Sequence, residues 1–490
     1  MSVTERRVSA VSEALAQDRL GVPSVVFFVI SAAAPLTVIG GSVTAAYAAT
    51  GVIGVPLAFI LLGAILGLFA VGYVTMARYV VNAGAFYAYT AKGLGRPLGV
   101  ATAWVALLAY NALQVGLYGM IGAAGEPLIA DWFGSSPPWW VIGLVAWVLT
   151  GVLGLMRVDV NGKVLSVLLL TEIAIVVLFD IADLINPAAS GYSLDVFNPA
   201  NLFVPGIGAV VAICIASFAG FESSVVFSEE TKDPRRTVPI ATYIALAVIS
   251  GLYALSSWAM TVPVGSDKIV EATREQSSNL LFNLAGQHLG ATIATLGGLL
   301  FVTSLFAALI AFHNTISRYI FALGRERVLP AAFGRTSPRT GAPVNGSVAQ
   351  SIIGLATIVI YAFFGLDPVI QLFFTVGSFG GLGLLMMLAA TSVSVFAYFA
   401  RNPAPENAWR TRIAPVISSV LLFVVIVLVM LNFDTVLGVA PDSPLRWIMP
   451  AIYFVAAGFG VMWGLALRSS KPNVYANIGL GAQAAVKGNE

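Results

Sequence analysis

The sequence predicts an all-α polytopic membrane protein with 12 transmembrane helices. Of its 490 residues, 58% are hydrophobic and only 10% are charged, whereas about a quarter of the residues of an ordinary soluble domain carry a charge. The charged residues leave apolar runs longer than the roughly 18 residues that mark a membrane-spanning helix. The 48 Gly and 24 Pro residues are typical of membrane helices that pack closely and are interrupted in places. This composition excludes a soluble enzyme.

The apolar runs define the extent of the membrane domain. They lie between charged or Pro- and Gly-rich breaks, and we number them spans 1 to 12, at residues 22–49, 54–77, 97–125, 138–156, 163–185, 204–229, 238–262, 288–323, 345–365, 368–399, 413–433 and 446–468. The predicted membrane domain therefore covers residues 22–468. A cytoplasmic N-terminal segment, 1–21, precedes it, and a cytoplasmic C-terminal tail, 469–490, follows it.

The basic residues predict the orientation of these spans. With the N-terminus inside the cell, all of the 25 Lys and Arg residues except Lys268, Arg274 and Arg446 lie on the inner side. Because short loops rich in Lys and Arg stay in the cytoplasm, we expect both termini there. The charges are spread over every inner loop and form no single patch, so we expect a lipid bilayer and no nucleic acid around the protein. The low ratio of Lys to Arg and the abundance of Ala, Gly and Val favour a bacterial plasma membrane.

Two carboxylates lie near mid-depth in the predicted bundle: Glu172 in span 5 and Glu222 in span 6. A charge at that depth costs about 2.5 to 3.5 kcal/mol on insertion scales, so each carboxylate needs a partner or a function. One interpretation is a paired or protonated Glu that ties two helices together. The other is a group that carries a proton or binds a substrate.

Depth along the helices suggests a partner for Glu172. It lies nine residues from Lys163, where span 5 enters from the cytoplasm, which is about 14 Å. His313 lies eleven residues from Gly324, where span 8 leaves toward the cytoplasm, which is about 16 Å. A histidine and a carboxylate at one level could exchange a proton, because His titrates in the physiological range. The pairing requires spans 5 and 8 to be neighbours; otherwise His313 makes only a structural hydrogen bond.

Span 3 carries a polar stripe. Asn111, Gln114 and Tyr118 are spaced i, i+3 and i+7, which places them on one helical face. Such a face contacts protein or water rather than lipid. Hydrogen bonds between helices and the lining of a substrate cavity are equally good interpretations.

Two spans contain a break in mid-membrane. In span 1, Pro35 removes a backbone hydrogen bond and is suited to the first turn of a new half-helix. In span 6, Gly220 stands two residues before the buried Glu222. Interrupted segments at corresponding places in two halves indicate the central site of a transporter. Because five spans separate the breaks, the two sets run in opposite directions, which predicts a 5+5 inverted repeat of residues 22–185 and 204–399, with two C-terminal helices at 413–468.

Three pairs of motifs carry a family resemblance. They are NAGAFYAY at residues 82–89 with GRPLG at 95–99, FAGFE at 218–222 with EETKDPRRTVP at 229–239, and SRY at 317–319 with GRERVLP at 324–330. In this order and at these topological positions they are similar to the amino acid/polyamine/organocation (APC) superfamily. The resemblance covers spans 1 to 10.

The resemblance implies the APC-type fold, with a substrate at the breaks in spans 1 and 6 and walls formed by spans 3, 8 and 10. N–H groups after Pro35 would receive an α-carboxylate, and carbonyls around the breaks would receive the ammonium. Glu172 falls where some relatives carry a Lys that substitutes for sodium. The candidate substrate-binding residues are Ala32, Ala33, Ala34, Pro35, Leu36, Asn111, Gln114, Ala216, Phe218, Ala219, Gly220, Phe221 and Glu222, and the candidate proton-coupling residues are Glu172, Glu222 and His313.

The resulting functional prediction is a proton-coupled secondary transporter that imports an amino acid by alternating access. The alternative is an importer or exchanger of an amine such as putrescine or ethanolamine, in which Glu222 binds the cationic end. Sodium coupling through hydroxyls at Thr315 and Ser317 also stays open. Two distant histidines, one cysteine, no HExxH and no P-loop predict no enzyme, cofactor, metal site or ATP-driven pump. The oligomeric state is not predicted.

Overall fold

The protein folds as a bundle of long helices. The structure, a computed structural model, describes residue 15 and residues 18–481, so the predicted segments 1–21 and 469–490 lie partly outside the described residues. Within the described part of the chain, the one β-type pairing is an isolated bridge between Leu20 and Thr231. The predicted all-α class is confirmed.

Each predicted span contains one apolar helix. Numbered α1 to α12, these helices are Val22–Thr50, Val55–Ala77, Arg96–Phe133, Trp139–Gly154, Val158–Ile185, Ile207–Glu230, Pro234–Val264, Ala291–Arg325, Val344–Phe364, Pro368–Arg401, Trp409–Leu431 and Leu445–Ser470. Eleven of them are long and apolar enough to cross a membrane. The remaining one, α4, has only 16 residues, so the predicted count of twelve crossings depends on this helix.

Shorter helices lie between and after these spans, and the hydropathy pattern did not predict them because none is long enough to cross a bilayer. They are Ala85–Gly93, Ile269–Gln276, Asn279–Leu289, Phe433–Leu437 and Pro472–Asn477. The first begins within the NAGAFYAY motif at residues 82–89, and the last follows α12.

The breaks predicted in α1 and α6 are present. Ala34 adopts a left-handed conformation with φ 46°, which ends the first half of α1, and Pro35 begins the second half. In α6 the regular helix ends at Ser217, and Gly220 has φ 110° before a short turn that begins at Phe221. A proline at a first helical position and a glycine at positive φ are the residues that such interruptions require.

Three of the helices contain π-helical segments. Val38–Val43 in α1, Pro368–Val376 in α10 and Trp409–Ile413 in α11 have this wider winding. The second segment begins after Asp367, whose side chain accepts the N–H groups of Val369 and Ile370. Segments of this kind occur mostly at functional sites.

Small residues bring the central helices close together. A Cβ added at Gly220 would lie 2.4 Å from the Cβ of Ala32, so the breaks of α6 and α1 are in direct contact. A Cβ at Gly381 in α10 would lie 2.7 Å from the Cβ of Ala216 in α6. Close backbone approach of this kind replaces the hydrophobic driving force that helices lack in lipid.

Buried ion pairs close one end of the bundle, which we call the basic end. Arg318 in α8 contacts Glu230 at 2.5 and 3.1 Å, and Arg325 contacts Glu229 at 2.6 and 2.7 Å. The backbone of Leu20 also pairs with the segment after α6, since its N–H donates to Glu230 and its carbonyl accepts from Lys232. The ion pairs join the end of α6 to the last two turns of α8.

Candidate functional site

A cavity of about 100 Å³ lies between the breaks of α1 and α6. Residues of α3, α8 and α10 complete its wall, as the sequence interpretation expected. No charged side chain lines it, and its polar side chains are four hydroxyls. The lining residues are Ala32, Ala33, Ala34, Thr37, Val38, Ser42, Leu113, Leu117, Ile213, Ala216, Ser217, Ala219, Ala308, Phe312, Phe373, Phe374, Gly377 and Ser378.

Five of the residues proposed from the sequence line the cavity: Ala32, Ala33, Ala34, Ala216 and Ala219. All five are alanines at the breaks, where the side chain is small enough to expose the backbone. The other proposed residues do not line the cavity, and they make other contacts instead.

Glu172 caps the half-helix that begins at Pro35. Its side chain is buried, and Oε1 accepts the backbone N–H of Leu36 at 2.5 Å and the hydroxyl of Ser304 at 2.7 Å. Oε2 has no hydrogen-bond partner among the described residues. A carboxylate is stabilised at this position by the free N–H groups of the helix start. In this conformation Glu172 therefore occupies the Leu36 N–H that the sequence interpretation assigned to a substrate carboxylate.

One hydroxyl pair connects Glu172 with the cavity. Ser304 Oγ, which donates to Glu172, lies 3.0 Å from Thr37 Oγ1 and accepts the Thr37 N–H at 3.3 Å. Thr37 itself lines the cavity. Glu172 is therefore linked to the cavity wall through two side chains.

Glu222 is held by its own break and by α3, and it does not line the cavity. Its Oε1 accepts the hydroxyl of Tyr110 at 2.7 Å, and its Oε2 accepts the Gly220 N–H at 3.0 Å. Tyr73 in α2 donates to the Glu222 carbonyl at 2.9 Å. Oε2 thus stabilises the interrupted backbone and Oε1 ties α6 to α3, which corresponds to the structural interpretation of this residue.

His313 does not contact Glu172. Its Nε2 lies 2.7 Å from the hydroxyl of Ser347 in α9. The same edge of the ring packs against α4, where a Cβ added at Gly154 would lie 2.3 Å from Nε2. Although α5 and α8 are neighbours, as the Ser304 contact shows, the expected proton exchange between His313 and Glu172 lacks a direct contact.

The polar stripe of α3 faces protein, but not the cavity. Gln114 Oε1 accepts the side-chain amide of Gln350 in α9 at 2.6 Å, and its own amide lies 3.4 Å from Tyr118. Asn111 donates to the Leu107 carbonyl of its own helix. Asn111 and Gln114 therefore do not line the cavity, and their assignment to substrate binding stays a prediction.

The two phenylalanines of the α6 break are packed into the bundle. Phe218 lies against Phe59 and Tyr253, and Phe221 lies against Phe69, each with ring centroids 6.1 Å apart. Both are fully buried, and neither lines the cavity. The aromatic residues at the cavity are Phe312, Phe373 and Phe374, which the sequence interpretation missed. The Phe373–Phe374 pair directly before a glycine-rich run was the available indication.

The hydroxyls considered for sodium coupling bond their own helix. Thr315 donates to the Ala311 carbonyl at 3.0 Å, and Ser317 donates to the Asn314 carbonyl at 3.1 Å. This is the common arrangement for an isolated hydroxyl in a helix.

With this geometry in place, comparison with known proteins is informative. The family model described as "Amino acid permease" matches residues 20–457, which include α1 to α11 and the cavity. The chain belongs to the amino acid permease family. Its resemblance to the APC superfamily is thereby confirmed.

The relatives of this chain are named for different substrates. The branched-chain amino acid permease BcaP of Lactococcus lactis subsp. cremoris is 25% identical over 66% of this chain and 70% of its own length. The low-affinity putrescine importer PlaP of Escherichia coli is 23% identical over 59% of this chain and 63% of its own length. The chloroplastic cationic amino acid transporter 7 of Arabidopsis thaliana is 25% identical over 51% of this chain. The permease covers only 40% of that protein's length.

Proposed function

We propose that the permease imports an amino acid with an apolar side chain across the plasma membrane, coupled to protons, by alternating access. The observation that carries this proposal is the cavity between the two helix breaks, whose lining has no charged side chain. A zwitterion needs no ionised side chain there, because half-helix N–H groups and carbonyls at the breaks supply opposite partial charges. The alanines and Phe312, Phe373 and Phe374 would surround its apolar part.

Glu172 is the proposed coupling group. It and the carboxylate of a bound amino acid would compete for the same half-helix start, because Glu172 already accepts the Leu36 N–H. Two negative charges at one buried site are unfavourable. Protonation of Glu172 removes this repulsion and frees N–H groups for the substrate. Proton binding and substrate binding therefore favour each other, which is the requirement for symport.

The geometry of Glu222 argues against the amine alternative. Both of its carboxylate oxygens are already occupied by Tyr110 and the Gly220 N–H, and no carboxylate side chain lines the cavity. An amine without a carboxylate would meet only hydroxyls and backbone there. One relative is named as a putrescine importer, so amines belong in the substrate test.

The proposed orientation places the basic end in the cytoplasm. It follows from the distribution of Lys and Arg along the chain. In this orientation the ion pairs of Arg318 and Arg325 close the cytoplasmic side. Amino acid import would then require these pairs to separate during each cycle.

The decisive experiment is uptake into proteoliposomes under an imposed pH gradient and, separately, a sodium gradient. Labelled leucine, alanine, arginine and putrescine would be supplied one at a time. We expect accumulation of leucine or alanine under the pH gradient alone. Accumulation confined to putrescine, or dependent on sodium, would contradict the proposal.

The variant Glu172→Gln tests the coupling group. It keeps an acceptor for the Leu36 N–H and removes the titratable charge, so we expect proton-driven accumulation to be lost while exchange of labelled for unlabelled substrate persists. Glu275→Gln, an exposed position in the helix Ile269–Gln276, is the matched control and should transport like the parent. Unchanged proton-driven uptake by Glu172→Gln would remove Glu172 from the mechanism.

A further inference from the structure

The chain after α12 returns to the basic end of the bundle. Arg96 in α3 donates to the Ala476 carbonyl at 3.1 Å, and its guanidinium lies 5.2 Å from the centre of the Tyr475 ring. The following Ile478 is 1% exposed and belongs to the main hydrophobic core. Residues 478–481, which we call the tail loop, are therefore folded into the protein.

The tail loop supplies half of the hydrogen bonds to a buried carboxylate. Glu326, directly after α8, is fully buried. Its Oε1 accepts the side-chain amide of Asn82 and the Gly481 N–H, both at 2.7 Å. Its Oε2 accepts the Tyr87 hydroxyl and the Gly479 N–H, both at 2.5 Å. Departure of the tail loop would leave the carboxylate with two unsatisfied hydrogen-bonding positions, which is unfavourable unless water enters.

The tail loop needs both glycines in order to make these contacts. Gly479 has φ 79° and Gly481 has φ 62°, values that side chains other than glycine rarely adopt. A Cβ at Gly481 would also lie 2.7 Å from the Val81 carbonyl oxygen. Backbone N–H groups aimed at one anion from residues with positive φ form a known type of anion-binding loop.

Glu326 is continuous with the ion pairs that close the basic end. The preceding residue, Arg325, binds Glu229 at the end of α6. Glu229 also accepts the N–H of Ala83 at 2.9 Å, next to Asn82, which binds Glu326. The tail loop, residues 82 and 83, the end of α8 and the end of α6 thus form one network. Separation of α6 from α8 would disturb every part of it.

We propose that the tail loop is an autoinhibitory latch that holds the cytoplasmic side of the permease closed by binding Glu326. The proposal rests on the orientation and the alternating access described above. Release of the tail loop would increase the fraction of molecules open to the cytoplasm. The latch would limit the rate of transport without contacting the substrate.

A cysteine reporter can measure this opening without any substrate. Ser228, between Phe227 and Glu229, is 1% exposed, and its hydroxyl has no partner among the described residues, so Ser228→Cys is a mild change. The native Cys214 is replaced by Ala in all variants. Labelling with a membrane-impermeant maleimide is then followed in inside-out vesicles. We expect the double variant Gly479→Ala/Gly481→Ala to label at least threefold faster than the reporter parent.

The control for backbone strain is Gly438→Ala, which has a similar φ of 65° in a position with no neighbouring atoms within 4 Å. It should label at the parental rate. Glu326→Gln is the second test, because it keeps the shape of the side chain but removes its charge, and it should also accelerate labelling. This variant keeps the test valid if the double glycine variant fails to fold.

A second reporter, Ile478→Cys, measures whether the tail loop is docked. Rapid labelling of this cysteine in the parent would show an undocked loop and overturn the proposal. Release of the loop in the double variant with no change at Ser228→Cys would also overturn it, since docking would then not control opening. Because no substrate is added, an unexpected substrate or coupling ion in the uptake experiment leaves both readouts intact.

Discussion

The contact between the two helix breaks leads to a quantitative prediction for Gly220→Ala. Gly220 has φ 110°, and its added Cβ would lie 2.4 Å from the Cβ of Ala32 and 3.2 Å from the Ala32 carbonyl carbon. The left-handed conformation costs a non-glycine residue about 1 to 2 kcal/mol. Insertion of a methyl group into a tightly packed site costs typically about 1 to 3 kcal/mol. We therefore expect Gly220→Ala to lower the free energy of unfolding by about 2 to 5 kcal/mol.

The measurement is chemical unfolding of the purified protein in mixed micelles, with two controls that separate the contributions. Gly438→Ala has the positive φ without a neighbour, and Gly377→Ala adds a methyl group to a helix where no atom lies within 4 Å. We expect the first to cost only the backbone strain and the second to be close to neutral. The double variant Gly220→Ala/Ala32→Gly should recover the steric part of the loss, because it removes the methyl group that the new Cβ meets.

Equal destabilisation by Gly220→Ala and Gly438→Ala would refute the reasoning. It would mean that the breaks of α1 and α6 are not in contact in the resting protein. Failure of Ala32→Gly to recover stability would show that the clash involves the Ala32 backbone instead of its side chain.

Three further predictions concern the cavity, α3 and the latch. Ala219→Leu should reduce uptake at least tenfold because the larger side chain fills the cavity. The control Ala219→Ser should still transport. Wild-type uptake by Ala219→Leu would place the substrate elsewhere. Gln350→Leu should lower the free energy of unfolding by about 1 to 2 kcal/mol, because it removes the hydrogen-bond donor to Gln114. It should not change how substrates compete for uptake. A changed competition profile would return Gln114 to the binding site. Burial raises the pKa of Glu326 above its ordinary value of 4.5, although hydrogen bonds from Tyr87, Gly479 and Gly481 and the charge of Arg325 lower it. Because the N–H groups of Gly479 and Gly481 lower the pKa of Glu326, the docked state binds the proton less tightly than the state without these two donors, so docking is weakened as pH falls through the pKa of the docked carboxyl. Relative to a free thiol, Ser228→Cys should label faster in acidic than in neutral buffer, and the opposite order would contradict this linkage.

The two helix breaks were predictable because local chemistry specifies them. Proline removes a backbone donor wherever it stands, and Pro35 begins a half-helix as expected. Gly220 at positive φ marks the second break. The positions of the long apolar helices were predictable for a similar reason, since hydropathy depends on composition along one segment. The π-helical segments of α1 and α10 carry no comparable local pattern.

The contacts of His313 were not predictable from depth. Glu172 and α8 do meet, but through Ser304, nine residues before His313. At about 100° per residue, nine residues correspond to two and a half turns, so the two side chains point to opposite sides of α8. Depth gives a residue's level in the membrane but not its direction around the helix axis. Direction depends on how all the helices pack, which sequence spacing alone does not determine.

The same limit applies to the polar stripe of α3. The spacing of Asn111 and Gln114 indicated that one face of the helix contacts protein, and Gln114 does so through Gln350. Spacing did not indicate which neighbour that face would meet. In contrast, the alanines at the breaks do line the cavity, because the breaks themselves define its position; their role in substrate binding stays a prediction.

The wider winding of α10 gives this helix a way to change its surface while it stays helical. A π-helical segment holds an extra residue in its hydrogen-bonded ring, and Phe373 and Phe374 lie within such a segment, directly before Gly377. Conversion of one turn to α-helical winding shifts the register by one residue and rotates the side chains on one side by about 100°. Such a rotation would carry one phenylalanine away from the cavity and bring a neighbour in, with almost no displacement of the helix ends. The wall of the cavity could thus be rearranged by a change of helical register, independently of any movement of whole helices.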